Sequence, residues 1–221
     1  MPAIFPRWTN NVPIAIGLLA PLVGAAAIFA IWYWFSPKYT DVGYRPEQPV
    51  PYSHALHAGD LGIDCRYCHT SVEDSAKANI PPTSTCMNCH SLIKTDSERL
   101  KLVRESAERT AEHPTGKPIP WVRVHQLPDY SYFNHSAHVA AGVGCASCHG
   151  RVDQMVVVEM AEPLSMGWCL ECHRDPTPNL RPLDQVTNMN WDPEAMSYDP
   201  KRDPARTREV NPPLHCSGCH R

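Results

Sequence analysis

One long apolar run dominates the hydrophobic pattern, and it comes early. Between Arg7 and Lys38 there is no charged side chain, and residues 13–35 read PIAIGLLAPLVGAAAIFAIWYWF. As a helix, a run of that length spans about 34 Å, enough to cross a hydrocarbon layer of about 30 Å. Trp32, Tyr33, Trp34 and Phe35 cluster at one end, as an interfacial aromatic belt would. A cleaved signal segment is the competing reading, with Ala25, Ala26 and Ala27 as small residues for a protease. The apolar stretch is longer than such a segment usually carries, so the pattern predicts a retained anchor. Gly24 and its alanine neighbours form a smooth face that another helix could approach, and Pro21 could kink the span.

After Lys38 the pattern changes character. Neither the alternation of a strand nor a long helical stripe recurs, and the chain holds 23 prolines. One conventional helix is predicted: Thr95, Asp96, Ser97 and Glu98 read as a capping box before a stripe of Leu100, Val103, Ala107 and Ala111. Glu105 and Arg109 would pair across one turn. The fold expected is mainly irregular with short α-helices, plus the amino-terminal transmembrane helix. Net charge is −3, which gives no basic face for nucleic acid.

The cysteines explain why an irregular chain can be compact. All ten fall in five Cys-x-x-Cys-His motifs. These are Cys65, Cys68 and His69; Cys86, Cys89 and His90; Cys145, Cys148 and His149; Cys169, Cys172 and His173; and Cys216, Cys219 and His220. Each is the attachment signature of a c-type haem, with two thioether-forming thiols and an adjacent imidazole for the iron. Zinc or disulfide frameworks would not require a histidine after every second cysteine. The expectation is five covalently bound haem c groups, around which the chain packs.

An internal repeat organises the motifs. Tyr52, His54 and His57 precede Cys65 as Phe133, His135 and His138 precede Cys145, each followed by a glycine-containing loop (Gly59 and Gly62; Gly142 and Gly144). A second motif follows in each copy, so two modules with a fifth haem appended are predicted. The boundaries read as module 1 over about 50–92, a helical insert over about 93–120, module 2 over about 121–175, and an extended arm with the fifth haem over 176–221. Histidines three apart on a helical turn can point to similar sides and serve different irons. The arrangement resembles the class III multihaem cytochromes. That resemblance implies His54, His57, His135 and His138 as distal ligands, one of each pair for its own module's iron and one for a neighbour. For the fifth iron, His125 ranks ahead of His113 and His215, with Met155, Met160 and Met166 as thioether alternatives, Met166 first among them.

Taken together, the anchor, the motifs and the segments 121–128, 132–138 and 163–169 resemble the pentahaem, membrane-anchored cytochrome subunit of alternative complex III. The resemblance implies a respiratory electron-transfer subunit without catalytic residues of its own. It also implies partners: a multispan quinol-oxidising membrane subunit, a periplasmic iron–sulfur subunit, a monohaem cytochrome c, and a terminal oxidase or soluble cytochrome c as acceptor. Residues 1–12 would then be cytoplasmic, 13–35 would cross the bacterial inner membrane, and the haem domain, 36–221, would face the periplasm. Two rivals compete. A membrane-anchored quinol dehydrogenase of the tetrahaem type tends to carry a methionine just after its first motif, where Thr70 and Ser71 stand here. A nitrite-reductase type needs a Cys-x-x-Cys-Lys, which this chain does not have.

Overall fold

The computed structural model describes residues 4–114, 116–192, 194–206 and 209–220. The chain divides into two compact units, Met1–Asp41 and Val42–Arg221.

The first unit is a 3-10 turn, Arg7–Asn11, that runs into the helix Val12–Trp34, with a short helix, Pro37–Thr40, after it. Together Arg7–Trp34 form one helix of 28 residues, long and apolar enough to cross a membrane. It runs through Pro21 without a break. Phe29, Trp32, Tyr33 and Trp34 contact one another or Tyr39 ring to ring near its end.

The second unit is built from short helices joined by irregular chain. Among the described residues there are no strands, and only two isolated bridges, Ser131 with His220 and Val143 with Leu180. The helices that matter most carry the repeated motifs: Cys65–Cys68, Thr83–His90, Ala146–His149, Met166–Arg174 and the 3-10 turn Cys216–Gly218. Residues three apart on such a turn tend to face the same way, which suits a pair of thiols that must reach one group. Asp64 caps Cys65–Cys68 by accepting from the Arg66 amide, and Ser165 caps Met166–Arg174 by accepting from the Trp168 amide.

The insert helix is shorter than the sequence suggests. A 3-10 turn, Glu98–Leu100, leads into Lys101–Ala107, and the capping box does not form. Ser97, in extended conformation, ends the preceding loop; its carbonyl accepts from the Arg104 guanidinium at 2.8 Å. The helix stops at Glu108, so Ala111 lies outside it and Glu105 faces Lys101 at 4.0 Å instead of Arg109. Its buried face is Val103 and Ser106, whose hydroxyl meets Thr83 Oγ1 at 2.7 Å on the second motif's helix.

The segment expected as an extended arm folds back onto module 2. Arg181 N donates to Gly142 O, Gly144 N to Asn179 O, and Cys145 N to Val186 O. The Arg181 side chain lies against the Gly144 backbone, where a Cβ would collide with its guanidinium. Farther on, the buried Arg206 guanidinium donates to the carbonyls of Ala141 and Arg181.

Very little of this unit is a protein core. Among the described residues, its buried apolar side chains are Val50, Val103, Met160, Leu180 and Val186, and none is fully buried. A chain of this length ordinarily buries well over half of its surface. Such a shortfall fits a fold whose interior is completed by large apolar groups other than side chains.

Candidate functional site

The histidines converge in pairs. Among the described residues no three or more of His, Cys, Asp and Glu gather as a bare metal centre would require. His57 and His90 have ring centres 6.3 Å apart, His135 and His149 6.4 Å, and His138 and His173 6.2 Å. Metal–imidazole bonds of about 2 Å on opposite sides of one ion put ring centres about 6 Å apart. The three pairs share this spacing, while their ring planes cross at 68°, 7° and 38° respectively.

Hydrogen bonds on the other ring nitrogen orient each pair. Nδ1 of His90 donates to Ile93 O at 3.0 Å, and that of His173 to Pro213 O at 2.9 Å. Across from them, Nδ1 of His57 donates to Ser53 O at 2.8 Å and that of His138 to Asn134 O at 2.7 Å. His135 Nδ1 reaches Ala76 O at 2.9 Å, and His149 Nδ1 lies 3.4 Å from His125 Nε2. A ligating histidine characteristically bonds through its second nitrogen in this way, which fixes the tautomer and leaves Nε2 for the metal. Burial lowers the pKa of His149 to about 3 and also lowers that of His138, so both rings are held neutral, as ligation requires.

The first motif follows the repeat. His69 Nδ1 donates to Asn79 O at 2.6 Å; Asn79 sits at φ 61, a left-handed conformation that asparagine tolerates. His54, the counterpart of His135, is pushed down to about 4 by burial and next by the nearby charge of His69. Its Nδ1 is a buried polar atom with no partner. The aromatic contacts recur in both copies. Tyr52 meets His54 edge-on at 4.8 Å and stacks on His57 at 4.5 Å, while Phe133 does the same with His135 and His138 at 4.8 and 4.5 Å.

The fifth motif docks onto module 2. His220 Nδ1 donates to Tyr130 O at 3.2 Å, and Tyr132 N donates to Cys219 O at 2.6 Å. Of the residues weighed for its second ligand, His125 sits beside His149 instead, and His113 and His215 are exposed. Met160 is buried, whereas Met166 is 66 % exposed, one turn before Cys169.

All ten thiols are free, as thioether formation needs, and they lie in neighbourhoods. Cys68 is within electrostatic reach of Cys86, Cys65 hydrogen-bonds with Cys145, Cys148 is near Cys172 and Cys169, and Cys169 is near Cys219. Burial first, then these neighbours, pushes the Cys148 thiol up to about 12. The backbone carbonyls of Ala76, Asn79, Ile93, Tyr130 and Pro213 are the site groups that the motifs did not reveal. A carbonyl carries no residue-type signal, and Ala76 and Pro213 reach their histidines from 59 and 40 residues away.

Residues 131–221 match the family described as cytochrome c7 and related cytochrome c, which spans the third, fourth and fifth motifs. Over these residues the chain belongs to that cytochrome c family. It is also similar to the menaquinone reductase multihaem cytochrome c subunit of Nitratidesulfovibrio vulgaris strain Hildenborough, at 32 % identity over 142 residues. That match covers 63 % of each chain, so the cytochrome spans less than two thirds of the relative's length. Covalently bound haem c follows from the family. The paired imidazoles, the free thiols and the sparse core all fit it.

Proposed function

We propose that the cytochrome is the five-haem electron-transfer subunit of a membrane quinone oxidoreductase, held at the periplasmic face by its helix Arg7–Trp34. The observation that carries this reading is the set of three imidazole pairs held 6.2–6.4 Å apart, each beside its own Cys-x-x-Cys-His helix. Haem c, when bound, supplies one-electron exchange between ferric and ferrous iron. What the chain does is hold, orient and order the sites. His69, His90, His149, His173 and His220 would hold the five irons, with His54, His57, His135 and His138 supplying a second ligand to the first four. Met166 would supply that of the fifth, because the helix that carries it also carries Cys169, whose neighbour is Cys219.

The cysteine neighbourhoods order the sites in space as second, first, third, fourth, fifth. Electrons would then enter at one end of that row and leave at the other, crossing between modules where Cys65 meets Cys145. In the quinol-oxidising form, related to alternative complex III, the donor is a multispan membrane subunit with an iron–sulfur partner, and the acceptor is a cytochrome c or terminal oxidase. The relative's name favours a second reading, in which electrons run toward menaquinone. Mild-detergent extraction tests both. Co-purified multispan and iron–sulfur subunits that oxidise a quinol analogue support the first, and reduction of a menaquinone analogue supports the second. A cytochrome that purifies alone, without either activity, would overturn both.

A further inference from the structure

Four of the five motif histidines send Nδ1 to a main-chain carbonyl: Asn79, Ile93, Pro213 and Tyr130. His149 does not. Its Nδ1 lies 3.4 Å from His125 Nε2, with the rings 4.4 Å apart and nearly perpendicular at 82°. We propose that His125 is a positioning residue, whose Nε2 accepts the Nδ1–H bond of His149 and tunes the third haem without ligating any iron. The proposal rests on the reading that His149 and His135 ligate one haem.

Geometry sets the two roles apart. With His135 standing 6.4 Å away and parallel within 7°, His149 has its Nε2 committed to the metal side, so its Nδ1 must carry the proton. His125 Nε2 is then the acceptor, and a nitrogen engaged there cannot bind iron as well. The segment that carries His125 is pinned from outside: Val122 N donates to Gln48 Oε1 at 3.0 Å, and Gln48 Nε2 returns a bond to Val122 O at 2.8 Å.

An imidazole nitrogen is a stronger base than an amide carbonyl. It draws the His149 proton further and makes that ligand more electron-rich, which favours ferric iron. The third haem is thereby set apart from its four neighbours by one side chain, at the point where the two modules meet.

The test uses the full-length protein in detergent, beginning with peptide mass analysis of the unmodified chain. A haem on Cys145 and Cys148 keeps the parent reading; its absence would sink that reading rather than this one. His125→Leu is expected to keep five low-spin haems that do not bind carbon monoxide and to shift one of five midpoint potentials upward. His125→Gln, whose amide oxygen can still accept, is expected to recover part of that shift. A new high-spin, carbon monoxide-binding haem in His125→Leu would make His125 an axial ligand and overturn the proposal. Five unchanged midpoints would overturn it too. Should His125→Leu fail to mature, His125→Gln decides alone: one displaced midpoint with all haems low-spin supports the proposal, and none displaced refutes it.

Discussion

His57 and His138 each bond their Nδ1 to a carbonyl four residues upstream, Ser53 and Asn134, so each ring is aimed by its own helical turn. His135 is different, because Ala76 aims it from module 1. Replacing His135 by Met should raise the potential of one haem and leave four nearly fixed, since a thioether donates less charge to ferric iron than an imidazole. A redox titration in which all five haems shift, or none does, would contradict its role as a ligand. Asp64 acts at the same scale. It accepts from the Arg66 amide and guanidinium and from Thr187 Oγ1, and the Arg66 bond chiefly holds its pKa down to about 2. A carboxylate with a depressed folded-state pKa stabilises the fold above its unfolded value near 3.8, and that contribution disappears as the pH falls toward 2. Asp64→Ala should cost about 1 kcal/mol at neutral pH, as helix-cap losses do, and much less at pH 2. Thermal melts at the two pH values check this.

The two histidine turns look alike in sequence and differ by one residue in structure. Cys65 follows His57 by eight positions, whereas Cys145 follows His138 by seven. The extra residue is absorbed by a π-helical turn, Ala55–Asp60, where the second copy has the α-helix His135–Ala140. Both loops then rejoin the repeat: Ile63 N donates to His57 O and Val143 N to His138 O, with Gly62 at φ 65 and Gly142 at φ 79. The repeat was therefore legible from the pattern of His, Gly and Cys, but the turn that reconciles the two copies was not, because spacing alone does not say where an insertion is stored. Deleting the exposed Asp60 should convert the turn to an α-helix and leave the haem content of the purified protein unchanged. Gly59 is less forgiving, since a Cβ there would run into Asp153 O. Gly59→Ala should destabilise by about 1–3 kcal/mol, read from denaturant midpoints. The insert helix also departs from the pattern: its first turn, Glu98–Leu100, follows Ser97, which makes no side-chain cap bond and whose carbonyl accepts from Arg104.

At the scale of the whole molecule, the motif-bearing helices form a row that the carboxyl-terminal segment ties together. Pro213 aims His173, Tyr130 aims His220, and Arg206 ties the arm to residue 141 of module 2 and to its own residue 181. Composition showed this segment only as polar and proline-rich; its docking depends on contacts 25 to 90 residues apart that no local pattern encodes. Arg206→Ala should cost about 2–3 kcal/mol, the usual loss for buried bonds from a charged donor, and should expose residues 194–206 to limited proteolysis. The sparse protein interior reaches further, into how the molecule comes to exist. A polypeptide whose buried apolar side chains, among the described residues, are Val50, Val103, Met160, Leu180 and Val186 has almost nothing to collapse upon by itself. Folding and haem attachment are then coupled, and a cell short of haem would hold no reservoir of finished apoprotein, only unfolded chains open to proteases.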